Sequence, residues 1–180
     1  MAVLAVVLTA GTLAGCSGGA RTRPSAAHES KTPSSPGVNP RDVAVIRDWS
    51  DALRHGDVAR AARYFALPSL MINGPDANGQ VVAVNISTRA EAEAANASLP
   101  CGARLISTAK HGRYINALFS LTQRPGPGGG CVAGAGQTAR TNFVIRSGRI
   151  VDWIRAPSRP GDNASPPQAA PTGGTSGPSV

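Results

Sequence analysis

Apolar residues fall on one helical face at Val43, Ile46, Trp49 and Leu53, with Arg47, Asp48, Asp51 and Arg54 on the other side. That spacing predicts an amphipathic helix. Asn39 before Pro40 marks its start, an N-cap followed by proline at the first helical position, and His55-Gly56 stops it. Asp57 then predicts the cap of a second helix whose apolar face is Val58, Ala61, Ala62 and Phe65, with Pro68 beyond its end. Two short β runs follow, residues 69–72 and 80–86, separated by the turn-forming "NGPDANG". Thr88 and Glu91 in "TRAE" carry the capping-box spacing. They open a third helix that ends near Leu99-Pro100.

Alternation takes over from there. "ARLISTAK" and "RYINALFSLT" flank His111-Gly112, and "RTNFVIR" and "RIVDWIRA" flank Ser147-Gly148. Each pair reads as a hairpin with a two-residue turn. Between the hairpins lies "QRPGPGGGCVAGAGQ", a long glycine-rich loop. The order is α-α-β-β-α-β-β-β-β, an α+β class with a mainly antiparallel sheet, over residues 40–156 as one domain.

The ends of the chain have a different texture. "MAVLAVVLTAGTLAG" carries no charge, and it is shorter than the roughly 20 apolar residues a spanning helix needs. Residues 1–15 read as a signal peptide. Leu13-Ala14-Gly15-Cys16 matches the bacterial lipobox, with Cys16 as the residue that takes the diacylglycerol. No Lys or Arg precedes the apolar core, a departure from the usual signal. Residues 16–39 read as the lipid anchor and a disordered tether, and residues 157–180 as a disordered Pro/Gly/Ser-rich tail. The expected address is the outer face of the cytoplasmic membrane.

Composition changes the picture in two places. Arg outnumbers Lys 16 to 2, as in GC-rich, actinobacterial-type genomes, and the net charge is +8. An exported chain meets no nucleic acid, and no Lys/Arg run with interleaved aromatics is present, so anionic lipid heads or wall polymers are better counterparts. With Cys16 assigned to the anchor, Cys101 and Cys131 remain as an even pair in an exported chain, which predicts a disulfide. The hairpin topology brings both to the same end of the sheet; two buried thiols are the alternative.

The stretches "VIRDWSDALRHGDVARAARYF" at 45–65 and "TNFVIRSGRIVDWIRA" at 141–156 resemble the paired opening helices and closing hairpin of the nuclear transport factor 2-like superfamily. The resemblance implies a cone, in which a strongly bent sheet wraps three helices around a pocket. Ketosteroid isomerases, polyketide cyclases and scytalone dehydratase are similar in fold, as are non-enzymatic domains of exported envelope proteins. It also implies that a homodimer through the sheet is one expectation.

For chemistry the sequence offers little. Asp152 is the one carboxylate in an expected strand; a tight Ser147-Gly148 turn pairs it with Phe143. On an apolar face it would have a raised pKa and serve as a base; an ion pair with an arginine is the plainer reading. If Asp152 faces outward, then Asn142, Val144, Val151 and Trp153 line the cone instead. Both faces are mixed, so the parity stays open. Trp49, Tyr64, Tyr114, Phe119, Phe143 and Trp153 are pocket candidates, each with core or rim packing as the alternative. His28, His55 and His111 fall in tether and turns. No metal-ligand spacing, phosphate loop or Ser/His/Asp set is present, and no cofactor is expected. The leading expectation is a non-enzymatic accessory module that binds a small apolar ligand or an envelope protein. An isomerase, dehydratase or cyclase using Asp152 is the alternative, and a structural spacer is the third.

Overall fold

A computed structural model describes residues 37–75 and 79–163. The signal segment, Cys16, most of the tether and most of the tail lie outside the described residues. The elements are α1 (Pro40–Arg54), α2 (Val58–Ala62), β1 (Phe65–Asn73), β2 (Val82–Ile86), α3 (Arg89–Ala97), β3 (Gly102–His111), β4 (Tyr114–Thr122), β5 (Thr138–Arg146) and β6 (Arg149–Ala156). Their order is the one the sequence pattern gives. The six strands form one sheet in the order β2-β1-β6-β5-β4-β3. Every neighbouring pair is antiparallel except β1 with β6, which run parallel.

The caps explain where the helices start. Asn39 Oδ1 accepts from the Arg41 N–H at 3.0 Å, and Asp57 accepts from the Arg60 N–H at 2.9 Å. At α3 the Thr88 hydroxyl and the Glu91 carboxylate exchange bonds with each other's backbone N–H groups, a complete capping box. Val43, Ile46, Trp49 and Leu53 are all buried, so the apolar stripe of α1 faces the sheet as its spacing requires.

The second helix is shorter than its apolar pattern implies. It ends at Ala62, and Phe65 opens β1 rather than closing the helix. The cause is distant in sequence: Ile150 of β6 donates to the Tyr64 carbonyl at 2.8 Å, and Phe65 pairs with Ile150. That strand captures the backbone where local propensity would have continued the turn.

A second difference sits in β6. Ile145 pairs with Ile150, but Val144 pairs with Asp152, so one extra residue is inserted in β6 and Phe143 pairs with Trp153. The expected pairing of Asp152 with Phe143 is thereby displaced. Residues three apart in a regular strand face opposite sides. The bulge lets Ile150 and Trp153 both face inward.

Beyond β6 the chain turns back. Arg140 holds Asp162 through one edge of its guanidinium, with Nε to Oδ2 at 2.7 Å and Nη2 to Oδ1 at 2.5 Å, and Thr138 binds Asn163 Oδ1 through its N–H and hydroxyl. Residues 157–163, read from sequence as tail, therefore pack on β5. Cys101 and Cys131 form the expected disulfide. In the chain-entropy model a crosslink of this separation stabilises by about 3–4 kcal/mol.

Candidate functional site

The core is organised around four aromatic rings. Trp49 meets Phe119, Phe143 and Trp153 edge-on at centroid distances of 6.0, 5.6 and 6.3 Å, and Phe119 meets Phe143 at 6.1 Å. Such edge-to-face pairs add about 0.5–1.5 kcal/mol each beyond area burial. Trp49 is on α1 and the other three come from β4, β5 and β6, so the cluster joins helix to sheet.

These rings do not fill the space between helix and sheet. A cavity of about 170 Å³ remains, walled by Trp49, Leu53, Leu99, Pro100, Cys101, Ala103, Phe119, Leu121, Ala139 and Trp153. Three polar residues complete its lining, Asn73, Thr141 and Arg155. They are not scattered. Thr141 and Arg155 are cross-strand partners. Ile72 is registered with Ile154, which sets Asn73 beside Arg155. The three therefore form one polar row across β1, β6 and β5. Asn73 and Arg155 also line an adjoining cleft of about 380 Å³ with Gly74, Pro75, Gln80 and Val82.

The backbone of Leu99, in the cavity wall, is held by an arginine that sequence reasoning did not single out. Arg124 is buried, and its guanidinium donates to the carbonyls of Ala97, Leu99, Pro125 and Pro127. Burial pushes it below the ordinary arginine value. It satisfies the carbonyl of Ala97, the last residue of α3, which has no partner within the helix, and that of Leu99 just beyond, and it fastens the glycine-rich loop against them. Gly128 packs so tightly there that a Cβ would stand 1.8 Å from the Ala97 carbonyl oxygen. Gly134 plays the same part beside the disulfide, where a Cβ would meet the Cys101 sulfur at 2.9 Å. The loop's glycines thus allow close backbone packing next to Leu99, Pro100 and Cys101 of the cavity wall.

Of the residues singled out from sequence, Trp49, Phe119 and Trp153 line the cavity. Phe143 is fully buried behind them. Tyr64 is half-buried at the edge of the core, away from the cavity. Tyr114 begins β4, where its hydroxyl accepts from Arg113 at 2.7 Å and the Arg113 guanidinium lies over its ring. Asp152 is on the opposite side of the sheet from Trp153. It lines a shallow outer cleft with Pro68, Ser69, Leu70, Asn85, Ser87 and Val151, and Arg113 stands 3.8 Å from its carboxylate.

Neither parity considered for the closing hairpin holds along its whole length, because the bulge brings Phe143 and Ile150 onto the same face as Trp153. Thr141, Asn73 and Arg155 were missed. A signal for Arg155 was present, since it lies two residues after Trp153 and so shares its face.

Among the described residues no cluster of three or more His, Cys, Asp or Glu could hold a metal ion, and no helix is long and apolar enough to cross a membrane.

No family model matches the chain, and no curated protein matches it. Solved structures do. A putative polyketide cyclase from Sinorhizobium meliloti is 14% identical over 63% of this chain and 94% of its own, with a TM-score of 0.46. A protein of unknown function from Mesorhizobium loti, described as NTF2-like, is 16% identical over 68% and 95%, with a TM-score of 0.45. An uncharacterised cystatin-fold protein from Novosphingobium aromaticivorans is 11% identical over 64% and 97%, with a TM-score of 0.45.

Proposed function

We propose that this chain is a lipid-anchored envelope protein with a nuclear transport factor 2-like domain that binds a small, mainly apolar molecule without transforming it. The observation that carries this reading is the cavity between α1 and the sheet. Its walls are aromatic and aliphatic, with a few polar groups at one side, the usual make-up of a small-molecule site. Its lining contains no carboxylate, histidine or tyrosine among the described residues. Acid–base chemistry on a bound molecule needs such a group within hydrogen-bond reach. Asp152, the base of the alternative isomerase, dehydratase or cyclase reading, lines the outer cleft instead. A spacer has no use for an open cavity.

The anchor rests on Leu13-Ala14-Gly15-Cys16. Fractionation of an actinobacterial host expressing the full chain tests it: wild type is expected in the membrane fraction with lipid mass, and Cys16→Ala is expected without either. Equal behaviour of the two forms overturns the anchor. Binding is tested by titrating the full chain with small neutral aromatics such as phenylacetamide while following tryptophan fluorescence. Both tryptophans of the chain line the cavity, so a saturable change is expected. No change with either phenylacetamide or phenylacetate at millimolar concentration overturns the binding role.

A further inference from the structure

We infer that the occupant of this cavity is a monoanionic carboxylate with an aromatic or short aliphatic body, and that Arg155 selects it by its charge. The inference rests on the binding role proposed above and adds the chemical class of the ligand.

Arg155 is an unusual residue for its position. It is half-buried on β6, at the side of a cavity whose other walls are almost wholly apolar. Among the described residues it has neither an ion-pair partner nor a hydrogen-bond acceptor, whereas Arg47, Arg54, Arg113 and Arg140 each stand within 4.0 Å of a carboxylate. A partly desolvated guanidinium is costly unless an anion meets it. Burial also holds it below the ordinary arginine value. The contrast with Arg124 is informative. That residue is buried too, but it spends its donors on four backbone carbonyls and has a structural task. Arg155 has no such task.

Its neighbours complete a recognition row. Thr141 supplies a hydroxyl and Asn73 an amide, on the two strands flanking β6. A planar guanidinium matches a carboxylate through two parallel hydrogen bonds, and the hydroxyl and amide can take the remaining lone pairs. The indole N–H of Trp153, on the same face two residues earlier, is buried without an acceptor and is another unpaired donor on that wall. One guanidinium supplies one positive charge, so a single negative charge is matched and a phosphate dianion would keep one charge unpaired. The body is bounded by size. A cavity of about 170 Å³ is comparable with the roughly 150 Å³ apolar cavity that accepts benzene.

The test compares isosteric pairs on the full chain by tryptophan fluorescence at pH 7: phenylacetate with phenylacetamide, and hexanoate with hexanamide. Phenyl phosphate is the dianionic comparator. Wild type is expected to bind each carboxylate at least about tenfold more tightly than its amide, and more tightly than phenyl phosphate. Arg155→Gln is expected to lose that preference, the acid and its amide then binding with similar affinity, while a circular-dichroism spectrum and thermal melt like those of wild type show that the variant is folded. Thr141→Val is expected to lower carboxylate affinity by a smaller factor. Equal affinities for acid and amide in wild type, or a preference that survives Arg155→Gln, overturn the charge selection but leave the binding role standing. Tighter binding of phenyl phosphate overturns the carboxylate class. If neither acid nor amide binds, the binding role and this inference fall together.

Discussion

Trp49 on α1 donates its indole N–H to Asn96 Oδ1 on α3 at 2.9 Å, and both side chains are buried. Asn96 in turn donates to the Ala92 carbonyl at 2.8 Å. The pair therefore ties two helices together at a cavity-lining ring. Without it, the indole N–H would be a buried donor with no acceptor.

Asn96→Ala is accordingly expected to destabilise the domain by about 2–3 kcal/mol, because one partner of a buried bond is removed and the other is orphaned. Urea denaturation followed by circular dichroism measures it. A loss under about 0.5 kcal/mol would show that the indole finds another partner.

The glycine-rich loop gives a paired comparison. Gly136 has φ +85° with open space where a Cβ would go, while Gly128 has φ +70° and the Ala97 carbonyl in the way. Gly136→Ala is expected to cost about 1–2 kcal/mol, the left-handed penalty alone. Gly128→Ala is expected to cost more than twice that, since the loop must also leave the end of α3. Thermal melts of the two variants side by side decide it, and equal losses would refute the packing account.

Acid should weaken the fold through two carboxylates. The Arg140 side chain holds Asp162 below its ordinary value, and the Ser87 and Thr88 backbone N–H groups do the same for Glu91. In both, the unfolded chain binds protons at a higher pH than the folded one, so stability rises with pH across that range. The contribution is complete above the ordinary carboxylate values, near pH 4, and is lost as pH falls through the depressed ones. Denaturation series between pH 7 and pH 3 should therefore show a shallower acid loss for Asp162→Asn than for wild type. Parallel curves would remove Asp162 from the account.

Asp152→Asn is expected to leave cavity binding unchanged, since the carboxylate is on the other side of the sheet. Its partner Arg113 is largely exposed at 3.8 Å, so the stability change should stay within about 1 kcal/mol. Fluorescence titration and a melt check both. A loss of ligand affinity would return Asp152 to the site.

Much of the architecture is legible in the chain because it is locally encoded. The Asn39, Asp57 and Thr88 caps, the His111-Gly112 and Ser147-Gly148 turns, and the stripe through Trp49 each depend on residues within a few positions of one another. Phe65 is different, because its strand state comes from Ile150, which no window of local sequence contains. The bulge in β6 is also invisible, since "RIVDWIRA" reads as an unbroken alternation with either face inward. Asp152 was assigned a partner by counting from the turn, and one inserted residue moved it. Of the six aromatic candidates, Trp49, Phe119 and Trp153 line the cavity, because bulky rings seek the core. The polar row was missed because Asn73, Thr141 and Arg155 are adjacent only after three strands are laid side by side.

The parallel seam between β1 and β6 also dictates when this domain can be finished. The strands β3, β4 and β5 pair with sequence neighbours and can assemble as soon as they exist. The β1–β2 hairpin has no seat until the last strand arrives, because Leu70 waits for Asp152. Contacts of such long range slow folding. A chain cut before Arg149 would leave two separate fragments of sheet, each with an unpaired edge exposed to other chains. The β6 strand is thus the keystone, and proteolytic loss of that one segment would unseat the β1–β2 hairpin together with the cavity it borders.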